Sequence, residues 1–180
     1  MKKFMLIIVS IIIVLTCSCS SFVISNENII EASRPYSNFG NQDVPISIAG
    51  YLNDGDYYLY VFSVIQDHVY YRHVYYAVEF KVVMRKNAKV VKEYAIITHG
   101  PNAMFDEIAV TKWHDKYIFV INDESVYKLR VSSDSRQPIE VKVSNYPFIV
   151  YELESPDENI TYQFLQEDGK VLDYRTFISY

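Results

Sequence analysis

The chain has 180 residues, of which half are hydrophobic, and its 17 basic and 22 acidic side chains give a net charge of −5. This acidic balance, with no basic run longer than Arg85 and Lys86, disfavours nucleic acid and anionic membrane surfaces as direct ligands. A domain of this size buries about 70% of its unfolded surface, so it needs neither disulfides nor a metal to fold.

The first residues have the pattern of an export signal. Lys2 and Lys3 precede an apolar run of 12 residues at 4–15. A basic start, an apolar run and a stretch of small residues are the three parts of a secretory signal peptide. The run is shorter than the roughly 20 residues that cross a bilayer, although residues 16–24 extend it enough to leave an uncleaved anchor as an alternative. It is followed by Thr16, Cys17, Ser18 and Cys19.

This segment resembles the signal peptides of bacterial lipoproteins, in which a short motif ends in the cysteine that receives diacylglycerol. Cys19 is the predicted attachment site because the small Ser18 precedes it. Cys17 is the alternative, since Val14 supplies the aliphatic residue expected before it. The resemblance implies that residues 1–18 are a signal peptide and that N-terminal acyl chains anchor the protein in the lipid bilayer. An ordinary secretory signal with coincidental cysteines is the other interpretation.

The resemblance also implies a location. Ser20 stands where an Asp usually signals retention in the inner membrane, so the expected site is the outer membrane, facing the periplasm. Removal of residues 1–18 takes away Lys2 and Lys3 and no acid, which leaves 15 basic and 22 acidic residues and a net charge of −7.

Residues 19–44 are predicted to be the lipidated N-terminus and a flexible tether. The segment shows no sustained hydrophobic period and contains turn-forming Asn, Ser, Gly and Pro residues. If extended, about 20 of these residues reach roughly 60 to 70 Å. The folded part is then a single β domain at residues 45–180.

The clearest predicted strand is 73–85, which is followed by a turn and a return strand at 89–99. Its residues alternate between a core face and a wet face, and Tyr75 is predicted on the wet face together with Glu79. The predicted core face contains Val74, Tyr76, Val78, Phe80, Val82 and Met84.

Further strands follow at short intervals. Residues 117–121 are apolar on both faces, which predicts a central strand, whereas the alternation in 126–131 predicts a strand nearer the edge. Asp168 and Gly169 predict a hairpin between 160–165 and 171–180. About nine or ten strands and one helical turn at 101–106 indicate an all-β fold, either an antiparallel sandwich, a barrel or a curved meander.

Tyrosine is the compositional anomaly, with 17 in the chain. Tyrosine is enriched at recognition surfaces because its ring gives a large contact area at low entropy cost. Tyr75, Tyr71 and Tyr58 are therefore the candidate partner-binding residues. The alternative is that they are ordinary strand residues.

Histidines and carboxylates give no catalytic or metal motif. Metal-ligand spacing is absent among the four histidines, which are His68, His73, His99 and His114. His73 and His99 could come together across the predicted hairpin, but we interpret such a pairing as coincidental and not as a metal site. Residues 53–56 are interpreted as a plain turn. No catalytic residue, metal or cofactor is predicted, and the chain is not expected to be an enzyme.

The resulting expectation is a membrane-anchored envelope lipoprotein that acts as a protein-binding module for an envelope or secreted protein. One specific form is an immunity or inhibitor protein, whose acidic surface would steer a basic partner. The first alternative is a structural or assembly accessory of the envelope that pairs through a strand edge. The second is an envelope hydrolase, which would require a histidine, a carboxylate and a hydroxyl in one cleft.

Overall fold

A computed structural model describes residues 21–37, 43–66, 69–100, 108–133, 136–143, 149–154 and 160–179. The described chain is built almost entirely of antiparallel strands, which confirms the all-β class. In chain order the elements are β1 (Phe22–Val23), α1 (Asn26–Ser33), a 3-10 turn (Arg34–Tyr36), β2 (Ile46–Asp54), β3 (Tyr57–Gln66), β4 (Val69–Met84), β5 (Asn87–Tyr94), β6 (Ile96–Gly100), β7 (Ile108–Trp113), β8 (Lys116–Ile121), β9 (Lys128–Ser133), β10 (Arg136–Lys142), β11 (Ile149–Glu154), β12 (Ile160–Leu165) and β13 (Arg175–Ser179).

The strands form three sheets that stack in layers. Sheet I has the order β1-β5-β4-β3-β2, sheet II the order β11-β8-β7-β6-β13, and sheet III the order β10-β9-β12. One apolar core lies between α1 and the outer face of sheet I, a second between sheets I and II, and a third between sheets II and III. Sheet II is therefore covered on both faces.

Strand β8 confirms the prediction of a central strand. Ile118 and Val120 pack into the core shared with sheet I, whereas Phe119 and Ile121 pack into the core shared with sheet III. A strand buried on both faces carries a continuous apolar run rather than an alternation.

The predicted hairpin of β4 and β5 is present, but its second strand is shorter than expected. The pairing ends at Ala77 with Tyr94, and the chain then leaves sheet I and enters sheet II as β6. His99 pairs with Ile108 and Thr176 in sheet II. His73 belongs to β4 of sheet I, so the two histidines are not partners across the β4–β5 hairpin.

Two other strand predictions are corrected by the pairing. Strand β9 lies in the middle of sheet III, between β10 and β12, and not nearer an edge. Its alternation reflects burial on one face, which both edge and central strands can show. The turn at Gly169, with φ +84°, is confirmed, but only Leu165 and Val171 pair across it before the chain crosses to sheet II as β13.

The tether prediction is wrong for residues 22–37, which are folded onto sheet I. Strand β1 pairs with β5, and Ser25 caps α1 by accepting a hydrogen bond from the Asn28 N–H at 3.2 Å. Ile29 is buried in the core under α1. The fold thus begins before Pro45. Residues 38–42 and the helical turn predicted at 101–106 lie outside the described residues.

Within the described ranges, none of the helical segments has the length and apolar character that crossing a membrane requires.

Candidate functional site: the aromatic face of sheet I

The outer face of sheet I carries a continuous row of stacked aromatic rings, which we call the aromatic face. Tyr60 stacks on Tyr51 with ring centroids 5.2 Å apart and on Tyr58 at 6.4 Å. Phe62 continues the row at 6.1 Å from Tyr60 and stacks on Tyr76 at 4.9 Å. The row forms because β2 and β3 place Tyr51 directly opposite Tyr60, and cross-strand aromatic pairs are favourable.

Helix α1 covers one end of the aromatic face. The Tyr76 hydroxyl lies 3.0 Å from the Ser33 hydroxyl of α1, and Ile29 packs into the same core. At the other end Tyr51 is 56% exposed and Tyr58 is half-buried. A large ring held in place by stacking and open to solvent is the kind of side chain that anchors protein interfaces.

A small apolar cavity lies between the start of α1 and the aromatic face, beside Tyr58 and Tyr60. It has a volume of about 90 Å³. An engineered apolar cavity of about 150 Å³ admits benzene, so this one fits a smaller group such as a methyl or isopropyl group. Its lining consists of Ile24, Ile29, Tyr58, Tyr60, Phe80, Val82 and Ala88.

Burial raises the pKa of the two inner tyrosines of the row, Tyr60 and Tyr76. It raises the pKa of Tyr76 to about 12, against the opposing effect of the hydrogen bond with Ser33. The pKa of Tyr60 is also raised, mainly by burial and further by its neighbours Tyr51 and Tyr58. The hydroxyls of Tyr60 and Tyr76 therefore lose their protons less readily than that of a solvent-exposed tyrosine.

The three tyrosines chosen from the sequence have different positions. Tyr58 belongs to the aromatic face, as described above. Tyr75 is only 2% exposed and lies in the core between sheets I and II, so its predicted place on a wet face is wrong. The reason is that sheet II covers the second face of β4, where Ala77 and Glu79 are also buried. The side chain of Tyr71, and Cys17 and Cys19, lie outside the described residues.

Away from the aromatic face, a polar cluster surrounds the buried carboxylate of Glu79. Glu79 Oε1 accepts a hydrogen bond from the Trp113 indole N–H at 3.1 Å, and Oε2 accepts one from the Tyr94 hydroxyl at 3.3 Å. His114, in the left-handed region at φ +54°, places Nε2 3.4 Å from Glu79 Oε1 and Nδ1 3.6 Å from Asp54 Oδ2. Because both ring nitrogens face carboxylates, this arrangement ties the β7–β8 turn to sheet I.

His99 is also engaged on both sides of its ring. Its Nε2 lies 2.9 Å from the Tyr162 hydroxyl, and its Nδ1 lies 3.2 Å from the Thr176 hydroxyl. Burial lowers the pKa of His99 to about 4. Through these two contacts His99 joins Tyr162 of sheet III to Thr176 of sheet II. In the described part of the chain, His, Cys, Asp and Glu side chains form no group of three placed to hold a metal ion.

Sequence reasoning missed Tyr51, Tyr60 and the segment 22–24. A signal for the tyrosines was present, since a two-residue loop at Gly55 and Asp56 sets Tyr51 directly opposite Tyr60. No sequence pattern could indicate the cavity, because the residues that line it come from separate segments of the chain.

Comparisons with protein-family models, with curated proteins and with solved structures found no match to this chain.

Proposed function

We propose that this protein is a membrane-anchored envelope lipoprotein whose β domain binds a protein partner through the aromatic face of sheet I. The observation that carries this proposal is Tyr51, 56% exposed and stacked at 5.2 Å on the buried Tyr60. The sequence supports the anchor through the lipoprotein-like segment that ends at Cys19, with Cys17 as the alternative site. The outer membrane, facing the periplasm, is the proposed location.

The aromatic face suits protein binding because it is already ordered. Stacking on Tyr60 fixes the Tyr51 ring, so a partner that buries this ring pays little for its lost rotamer freedom. The adjoining cavity of about 90 Å³ provides a recess for a small apolar side chain of the partner. An exposed aromatic anchor beside a recess is typical of interface hot spots.

The acidic net charge of the protein favours a basic partner. The chain without residues 1–18 carries a net charge of −7. Such a charge accelerates encounter with a basic partner. An immunity or inhibitor protein that caps a basic secreted protein is therefore the specific form that we propose.

Strand addition at a sheet edge is less well supported as the binding mode. Edge strand β2 contains a bulge between Ile48 and Gly50, and edge strand β10 contains Pro138. Within β10, Glu140 accepts hydrogen bonds from Lys128 at 3.1 Å and from Arg130 at 2.7 Å, both on the neighbouring β9. Bulges, proline and charged side chains at edges are devices that oppose pairing with another strand.

The proposal is tested by recovering the partner from native membranes with full-length, C-terminally tagged protein. Tyr51→Ala should weaken the affinity for the recovered partner by roughly 30-fold, as expected when a hot-spot ring is truncated. Tyr127→Ala is the matched control, because Tyr127 is a half-buried tyrosine beside sheet III. Quantitative binding of the purified pair gives the measurement.

Equal affinity of wild type and Tyr51→Ala for a partner that both recover would contradict the aromatic face as the binding surface. The double variant Cys17→Ala with Cys19→Ala tests the anchor separately. Its loss from the membrane fraction is expected, and its retention there would contradict lipidation.

A further inference from the structure

The corner of sheet I where the described chain begins carries an exposed mixture of apolar and basic side chains. Val23 is 56% exposed, Ile24 is 38% exposed and Met84 is 66% exposed. Arg85 and Lys86, also exposed, form the two-residue loop between β4 and β5. We call these five residues the N-terminal corner.

The two segments of this corner are fixed to each other. Strand β1 pairs Phe22 with Ala88 and Val23 with Asn87, and the Ile24 N–H donates to the Lys86 carbonyl at 2.8 Å. The Phe22 ring packs edge-on against Phe80 in the core, with centroids 5.8 Å apart. The corner is therefore a rigid part of the domain.

We propose that the N-terminal corner is a membrane-contact surface that rests on anionic lipid headgroups and fixes the orientation of the domain. This inference rests on the lipid anchor of the proposed function. Cys19 and Val23 are four residues apart, so Val23 lies within about 14 Å of the acylated residue even if the chain is fully extended. The headgroup layer on each side of a bilayer is roughly 5 to 8 Å thick.

The chemistry of the corner fits this position. Met84, Val23 and Ile24 can enter the boundary between headgroups and acyl chains, and Arg85 and Lys86 can pair with lipid phosphates. The rest of the domain is acidic and is repelled by an anionic surface, which favours the orientation with this basic pair facing the membrane. The acidic net charge disfavours an anionic membrane as a ligand of the molecule as a whole, whereas Arg85 and Lys86 form a local basic site at this corner.

This surface meets the one proposed for the protein partner at the cavity, because Ile24 belongs to the corner and also lines the cavity. The exposed Tyr51 lies away from that meeting point. Val23 is on β1 and Tyr51 is on β2, at opposite edges of the five-stranded sheet I. Four strand spacings separate these edges, which is roughly 19 Å. The membrane can therefore hold the corner while Tyr51 remains accessible.

Depth-dependent quenching of an introduced tryptophan tests the inference. Full-length lipidated Met84→Trp is reconstituted in vesicles of phosphatidylethanolamine and phosphatidylglycerol that contain brominated lipid. Its fluorescence should be quenched, whereas Ile139→Trp should not be quenched, since Ile139 is an exposed apolar residue of β10 in sheet III. The native Trp113 is buried and gives the background signal.

A charge variant provides the second arm. Arg85→Gln with Lys86→Gln, in the Met84→Trp background, should lower the ratio of quenched to unquenched tryptophan by about 25-fold, because each basic residue near an anionic surface contributes about fivefold. Vesicles of phosphatidylcholine alone should abolish the difference between the two proteins.

The possible failures are distinguishable. Vesicle-bound protein whose introduced tryptophan is not quenched overturns the inference and leaves the anchor intact. Protein that does not associate with vesicles overturns both the anchor and the inference. Failure to recover a protein partner would count only against the aromatic face as a partner-binding surface, and not against the membrane contact of the corner.

Discussion

At the scale of single residues, burial by a neighbouring sheet decides the role of the polar side chains. Glu79 belongs to a face that alternation predicts to be wet, yet it accepts hydrogen bonds from Trp113 and Tyr94 inside the fold. Tyr75 shares that buried face. The identities of Glu, Tyr and Ala at alternate positions are consistent with either environment, so sequence alone could not assign this face.

His99 makes the pH dependence of stability predictable. Its folded pKa of about 4 lies below the ordinary value of 6.5, so the unfolded state takes up this proton first as the pH falls. The contribution of His99 is therefore fully present above about pH 6.5 and is lost as the pH falls towards 4. Through His99, the free energy of unfolding therefore falls by about 2 kcal/mol between pH 7 and pH 5.

His99→Gln should remove this part of the pH dependence, because glutamine does not titrate. Urea unfolding of both proteins at pH 7 and pH 5, followed by Trp113 fluorescence, measures the difference. An identical loss of stability in the two proteins over this interval would assign the effect to other groups.

At the scale of secondary-structure elements, α1 is the main difference between prediction and structure. Its eight residues are too few to give a clear helical period, so the turn-forming residues around it suggested a tether. Signals were nevertheless present, since Ser25 is a favourable N-cap, Glu27 lies in the first turn and Pro35 lies at the start of the 3-10 turn. Packing of Ile29 onto sheet I supplies the stability that a short helix lacks.

Ile29→Ala is expected to lower the free energy of unfolding by about 2 to 5 kcal/mol, because it leaves a cavity in the core beneath α1. A tether residue would show almost no effect. Glu27→Gln, an exposed change in the same helix, is the control and should alter stability by about 0.5 kcal/mol or less. Chemical denaturation of the three proteins gives the comparison, and equal stability of Ile29→Ala and wild type would contradict the docking of α1.

At the scale of the whole molecule, sheet II joins the layers into one structure. Adjacent residues of β8 enter different cores, with Ile118 on the side of sheet I and Phe119 on the side of sheet III. The Phe119 ring also contacts Tyr162 of sheet III, with centroids 5.3 Å apart. A mutation that disrupts the core on one side of β8 therefore also destabilises the core on its other side.

This arrangement predicts a single cooperative unfolding transition. Ile118→Ala and Phe119→Ala should each destabilise the protein by about 2 to 5 kcal/mol and move the same transition. Trp113 fluorescence reports on the core between sheets I and II, and far-UV circular dichroism reports on all three sheets. Separation of the two signals in Phe119→Ala would show that sheet III unfolds independently.

The sequence by itself determined those features that depend on neighbouring residues. These are the export-like segment with its two cysteines, the predominance of strands, the tight turns at Gly55 and Gly169, and the two-sided burial of β8. Each follows from composition, from local turn geometry or from a short apolar run.

Only the tertiary structure decided which sheet each strand joins and which faces are covered. It moved β6 and β13 into sheet II, buried Tyr75 and Glu79, and left Tyr51 and Met84 exposed. The physical reason is that alternation along a strand describes one strand, whereas burial depends on a second sheet or helix that comes from a distant part of the chain.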